Sequence, residues 1–251
     1  MLRRKFIYVI SSYSIDIVKY LRNNKISIRK WGPLYFFEKY VNRSNVDLEL
    51  KFLNLGFCIV EIERTAEEEY WTILLTKQLE KFKFKEKDFD NLLISFIKDE
   101  FSFIDINWYK AKNLFVDIQW YYRVLKWECY LTKDLLPQYD NLFIKATEEE
   151  FNILDNSFKQ EVLKQQVVLI TRGNKWVFLS DRWKKYEMLP NRIVNCKDTI
   201  GAGDTFFISF VWNWLENWNI ISATREAMID VENFLSNKDK ESEKDKIFNL
   251  F

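Results

Sequence analysis

The residues best equipped for chemistry are Asp198-Thr199-Ile200-Gly201-Ala202-Gly203-Asp204, followed by the long apolar run Thr205 to Trp218. Two glycines ahead of a hydrophobic run predict a loop that opens a buried helix. Such a start aims unpaired backbone N–H groups and the positive end of the helix dipole at whatever lies in front, which makes an anion site. Asp204 on the first turn would repel an anion as a ligand, but it suits a base aimed at a hydroxyl beside a phosphate. Taken alone, Gly-Ala-Gly-Asp is more often a tight turn than a site. The chain contains no histidine, which excludes Ser-His-Asp and Cys-His mechanisms and imidazole metal ligands. Carboxylates, lysines and backbone dipoles remain.

The elements around that loop must hold it rigidly. Phe206, Phe207, Ile208, Phe210, Val211, Trp212, Trp214, Leu215 and Trp218 cover most of the helix, while Thr205, Ser209, Asn213 and Glu216 form one narrow polar stripe. A helix apolar on nearly every side belongs inside a large domain. The chain has only 5 glycines, where ordinary usage would give about 18. Two of them stand in this loop and a third in Thr171-Arg172-Gly173.

Short apolar runs recur at Phe6–Ile10, Leu92–Ile94, Leu114–Val116, Leu142–Ile144 and Val167–Ile170, separated by helix-like stretches such as Glu148–Asn156 and Phe158–Lys164. This alternation predicts an α/β domain, a parallel sheet covered by helices on both faces. Ser11, Ser95, Asp117, Lys145 and Thr171 stand at the carboxyl ends of those predicted strands, the edge where open α/β sheets bind ligands. Leu34–Val41 reads as a helix. Phe57–Glu63 and Tyr70–Leu74 alternate and predict a small antiparallel β flap over roughly 55–76, either a lid over the ligand edge or an edge hairpin that extends the core, with Phe57–Glu63 as a strand that could pair between protomers.

The 251 residues are 48% hydrophobic and 18% aromatic, enough for one sizeable domain. Lys and Arg total 38 against 37 Asp and Glu, a net charge of +1 that favours neither nucleic acid nor a membrane surface as partner. Three scattered cysteines predict no disulfide framework and a cytoplasmic protein. The alternating charges of Lys238–Lys246 predict a solvated tail over 236–251, after a domain spanning 1–235.

Asp198 to Phe206 resembles the ribokinase-like (PfkB) family of sugar and nucleoside kinases, whose signature is D-T-x-G-A-G-D-x-F. The resemblance continues in order along about two thirds of the chain. Tyr8–Asp16 looks like the first strand with its substrate-binding Asp16, and Asp117-Ile118-Gln119 with Arg123 is similar to a D-x-Q-G-x-x-R stretch. Lys145–Glu150 looks like K-P-N-x-x-E, and Thr171-Arg172-Gly173 like the nucleotide-site T-x-G. The resemblance implies a three-layer αβα fold with a lid, and an ATP- and Mg²⁺-dependent kinase acting on a hydroxyl of a sugar, cyclitol or nucleoside. In that reading Gly201, Ala202 and Gly203 stabilise the transferring phosphoryl group and Asp204 is the base. Glu150 acts on Mg²⁺ through water, and Lys145, Thr171, Gly173 and Thr199 bind the nucleotide. Asp16, Gly32, Gln119 and Arg123 bind the acceptor. Apart from the resemblance, the edge strand of the flap could pair two protomers into a homodimer.

The chain departs from the family where Trp31 precedes Gly32, where Trp120 follows Gln119, and at Thr147 and Trp176. Tryptophans in place of glycines would fill or reshape the acceptor pocket. The alternative is therefore a nucleotide-binding protein of the same fold with weak or absent catalysis.

Overall fold

A computed structural model describes residues 5–22, 24–44, 46–65, 69–81, 88–95, 97, 110–119, 141–196 and 198–242. Fifteen elements follow in chain order. They are β1 (Lys5–Tyr20), β2 (Lys25–Trp31), α1 (Pro33–Ser44), β3 (Leu48–Arg64), β4 (Glu69–Lys81), β5 (Asp88–Ser95), β6 (Lys110–Asp117) and β7 (Asn141–Thr147). After these come α2 (Glu148–Asn152), α3 (Asn156–Gln165), β8 (Val167–Thr171), β9 (Val177–Asp181), β10 (Lys184–Met188), α4 (Ala202–Asn217) and α5 (Ile220–Ser242).

All ten strands join one sheet, in the order β10-β9-β8-β7-β6-β5-β1-β3-β4, with β2 also on β1. The run from β8 to β3 is parallel, and the β9–β10, β3–β4 and β1–β2 pairs are antiparallel. The five short apolar runs seen in the sequence lie in β1, β5, β6, β7 and β8. They are buried on both faces because helices cover both. On one face Ile10, Leu92, Leu114, Ile144 and Val168 pack under Phe151 of α2 and Phe158 and Val162 of α3. On the other, Ile7, Val9, Phe115, Phe143 and Leu169 pack under Leu34 and Phe37 of α1, Phe210 and Trp214 of α4, and Ala223 and Ala227 of α5.

At one end of the sheet a ladder of amides crosses three strands. Arg182 donates to Asn141, Asn141 to Asn113, Asn113 to Asn91, and Asn91 to the Phe6 carbonyl.

The flap is larger than the sequence suggests. β1 does not stop at Ile10 but continues to Tyr20, and β3 pairs with it in parallel along its whole length. The flap therefore comprises the upper half of β1, with β2, β3 and β4, as an extension of the main sheet. The expected pairing edge at Phe57–Glu63 lies between β1 and β4, so it is interior; β2 and β4 are the edges. Val18, Cys58, Val60 and Ile62 form the flap's inner face and pack on Ile97, with Ile200 against them.

The apolar run of α4 is buried through Leu215 apart from the half-buried Trp212, and Trp218 is 60% exposed, because it is the left-handed C-cap just past the helix. The polar stripe turns inward at Ser209, whose hydroxyl donates to Asp230 of α5 at 2.6 Å, and Tyr40 of α1 donates to the same carboxylate oxygen at 2.9 Å. The expected boundary at 235 falls inside α5, which runs on to Ser242. Neither Cys58 nor Cys196 is in a disulfide, while Cys129 lies outside the described residues. Among the described residues no helix is long and apolar enough to cross a membrane.

Candidate active site

The signature loop forms the predicted helix start. Gly201 is the N-cap of α4 with φ +83°, a left-handed conformation that L side chains rarely adopt, and it supplies no side-chain cap. A Cβ there would also stand 2.1 Å from Cε1 of Phe36. The Ala202 amide closes the turn on the Thr199 carbonyl at 3.0 Å. Asp204 stands on the first turn and is part-buried.

In front of this helix start lies a cavity of about 530 Å³. Of the residues singled out in the sequence, Lys145, Thr171, Gly173, Thr199, Ala202 and Gly203 line it together, brought there by β7, β8 and α4. Thr147 and Trp176 also line it, with the apolar side chains of Val177, Pro190, Val194, Met228, Val231 and Leu235. Glu232 anchors the rim: its carboxylate accepts the Asn191 amide at 2.8 Å and the Arg192 amide at 3.3 Å. Trp176 lies beneath the Arg172 guanidinium at 5.0 Å, and Arg172 is ion-paired to Glu148.

Lys145 is almost wholly buried, with its ammonium 2.9 Å from Asp117, its register partner on β6. Burial pushes the ammonium down, but the carboxylates of Asp117, Glu150 and Asp204 outweigh it and hold Lys145 above the usual lysine range. Glu150 is placed by a capping box: its Oε2 accepts the Thr147 amide at 2.7 Å while Thr147 Oγ1 accepts the Glu150 amide. Threonine, like asparagine, can cap a helix start through its side-chain oxygen, and Thr147 does so here.

Asp16 and Gly32 belong to the flap side and do not line the cavity. Asp16 is buried and accepts the Ser14 hydroxyl at 2.5 Å. Gly32, with φ +93°, lets the chain pass within contact of the β1 backbone, where a Cβ would come 2.7 Å from the Ser12 carbonyl oxygen. The backbone of Gln119 donates to Asp117 at 3.1 Å. Arg123 and Trp120 lie outside the described residues.

A latch that sequence reasoning missed closes the flap side. Asp198 receives Arg29 of β2 at 3.2 Å and Lys238 of α5 at 3.0 Å. The indole of Trp31 lies near both cations, at 5.1 Å from Arg29 and 4.8 Å from Lys238, with Phe36 and Phe234 adjoining. Lys238 also donates to the Ile200 carbonyl at 2.7 Å, and burial pushes its ammonium down despite Asp198. So Lys238, expected in a solvated tail, ties α5 to the signature loop. The spacing of Ala223, Ala227, Met228 and Val231 at i, i+4, i+5 and i+8 was the available sign that the helix extends to it.

A family model for pfkB family carbohydrate kinases matches residues 100–228, just over half of the chain. No curated protein matches it in sequence. Among solved structures, the ribokinase of Thermotoga maritima superposes with a TM-score of 0.65 at 16% identity, covering 92% of this chain and 93% of that one. A pyrophosphate-dependent kinase in the ribokinase family, complexed with a pyrophosphate analog and myo-inositol, gives 0.61 at 16%, covering 94% and 99%. The ribokinase of Cryptococcus neoformans in complex with ADP gives 0.62 at 14%, covering 92% and 93%. These likenesses establish the ribokinase-like α/β fold, and the chain belongs to the pfkB family of carbohydrate kinases.

Proposed function

We propose that this kinase transfers the γ-phosphate of ATP to a hydroxyl of a sugar, cyclitol or nucleoside. The observation that carries the reading is that the glycine-opened start of α4, Lys145 and the Thr171–Gly173 turn line one cavity together with a set of apolar side chains. The apolar lining suits a nucleobase and the helix start a terminal phosphate. Thr171, Gly173 and Thr199 hold the nucleotide, and the Gly201 and Gly203 amides stabilise charge on the transferring group, while Ala202, whose amide is engaged by the Thr199 carbonyl, shapes the turn that presents them. Asp204 accepts the proton of the acceptor hydroxyl, with Asp16, Gly32, Gln119 and Arg123 on the acceptor side.

The chemistry of the donor set fits magnesium: the one carboxylate expected to act on it, Glu150, suits an ion that takes one or two carboxylates with donor phosphates and water. Glu150 would hold it through water, and the ion would neutralise phosphate charge. Glu150 Oε1 is the oxygen left for this, since Oε2 serves the cap.

A second reading, a nucleotide-binding protein with weak catalysis, is favoured by Phe36 seated against Gly201 and by the buried Trp31 on the acceptor side. Purified protein with Mg²⁺-ATP and a panel of polyols and nucleosides separates the two. Turnover that falls about 10²–10⁴-fold in Asp204→Asn with ATP affinity retained supports the kinase. ATP binding without consumption of nucleotide against the whole panel supports the second reading. Localisation in the cytoplasm is consistent with Cys58 and Cys196 being in no disulfide. Pairing of two protomers through the flap is consistent with the half-exposed Ile26, Ile28, Tyr70 and Leu75 on its strands.

A further inference from the structure

The reaction outlined above gives Asp117 no part, yet Asp117 is wholly buried at the carboxyl end of β6 with both oxygens engaged. Oδ2 accepts from Lys145 at 2.9 Å, and Oδ1 accepts from the Gln119 amide at 3.1 Å. The ammonium so held lies beside the signature loop: a Cβ on Gly203 would come 3.2 Å from Lys145 Nζ. A side chain at that position would crowd the ammonium by a few tenths of an ångström, and glycine does not. A buried ion pair adds little net stability over a well-packed apolar pair of similar volume. Stability alone therefore gives no reason for a charge pair on these two in-register strands, whereas its place at the ligand edge of the sheet does.

We propose that Asp117 is a positioning residue for phosphoryl transfer: it holds the Lys145 ammonium beside Gly203, where that charge meets the terminal phosphate of the donor. The inference rests on the reading of this cavity as the donor site. An ammonium has three donors and Asp117 takes one, which leaves others for phosphate oxygens. The charged groups facing Lys145 are Asp117 from β6, Glu150 from α2 and Asp204 from α4. An unrestrained lysine would have to be ordered when the donor binds, whereas this one is already in place.

The test uses the full chain, with ATP and ADP as probes in calorimetry alongside turnover. Asp117→Asn should weaken ATP more than tenfold and ADP no more than about twofold, and lower kcat roughly 10²–10³-fold. Asp117→Glu should recover part of that loss, which a role in packing alone would not produce. Because Asp117→Asn strands a buried cation, a second variant combines Asp117→Leu with Lys145→Met, an apolar pair of similar size. It should melt at or above the wild-type temperature and still show the losses in ATP affinity and kcat. A double variant that binds ATP and turns over like wild type overturns the proposal. If wild type binds ATP but phosphorylates no acceptor, the kinase reading fails, and ATP affinity alone judges the pair: unchanged affinity in the double variant overturns it.

Discussion

Gly201→Ala tests whether the signature loop is shaped by a ring as well as by a dihedral. At φ +83° an alanine adopts a left-handed backbone, which costs about 1–2 kcal/mol. Its Cβ would also lie 2.1, 2.3 and 2.4 Å from Cε1, Cζ and Cδ1 of Phe36, and overpacking of this kind costs about 1–3 kcal/mol. The sum, about 2–5 kcal/mol, is a large share of the roughly 5–15 kcal/mol that stabilises a domain. The two contributions separate in a double-mutant cycle with Phe36→Ala, measured by urea unfolding. With the ring removed, the cost of Gly201→Ala should fall to the dihedral part, about 1–2 kcal/mol, leaving a coupling of about 1–3 kcal/mol. Phe36→Ala itself costs about 3–5 kcal/mol, so the cycle is read from differences rather than from the double variant alone. Equal costs in both backgrounds would refute the contact, and a Gly201→Ala protein as stable as wild type would refute both contributions.

The Tyr40 phenol is held above its ordinary value chiefly by burial. Its folded pKa exceeds the unfolded one, so the stability it contributes is complete below about pH 10 and is lost as pH climbs from there. Tyr40→Phe should be less stable by about 1.5–3 kcal/mol near neutrality, the worth of a hydrogen bond to a carboxylate, with a shallower alkaline decline in unfolding free energy. Asp198→Ala should leave Arg29 and Lys238 facing each other, cost about 2–3 kcal/mol because all three side chains are only partly exposed, and increase limited proteolysis within β2; unchanged cleavage would argue that the latch does not hold the flap. Ile28→Lys should shift any dimer toward monomer in sedimentation equilibrium without lowering the melting temperature, and a dimer that persists would place the contact elsewhere.

The sheet's interior was legible in the sequence because parallel strands buried on both faces appear as short unbroken apolar runs. The flap was not. Beyond Ile10 the alternation is inverted, with Ser14 and Asp16 turned inward and Ile15 and Ile17 outward, so polarity no longer marks the wet face. β2 has exposed Ile26 and Ile28 and one buried tryptophan, a pattern only its neighbours explain. The residues that gather at the cavity were legible because glycines are scarce: Gly173 and Gly201 take left-handed backbones, and Gly203 stands close to the Lys145 ammonium. The latch of Asp198, Arg29 and Lys238 was hidden: its members are 169 and 209 positions apart in sequence, and charge patterning in one dimension makes Lys238 look like part of a solvated end.

The asparagines at the far margin of β5, β6 and β7 carry a different implication. Asn91, Asn113 and Asn141 occupy mutually aligned positions, and every donor in the series points the same way, toward the Phe6 carbonyl. Sliding any of these strands by one residue would rotate its amide onto the opposite side of the sheet, among the hydrocarbon groups under α3. There it would find no partner, and a buried amide left without one is penalised. Hydrophobic strands are otherwise nearly interchangeable with their slipped forms, so three polar side chains serve as the alignment pins that keep Asp117 opposite Lys145.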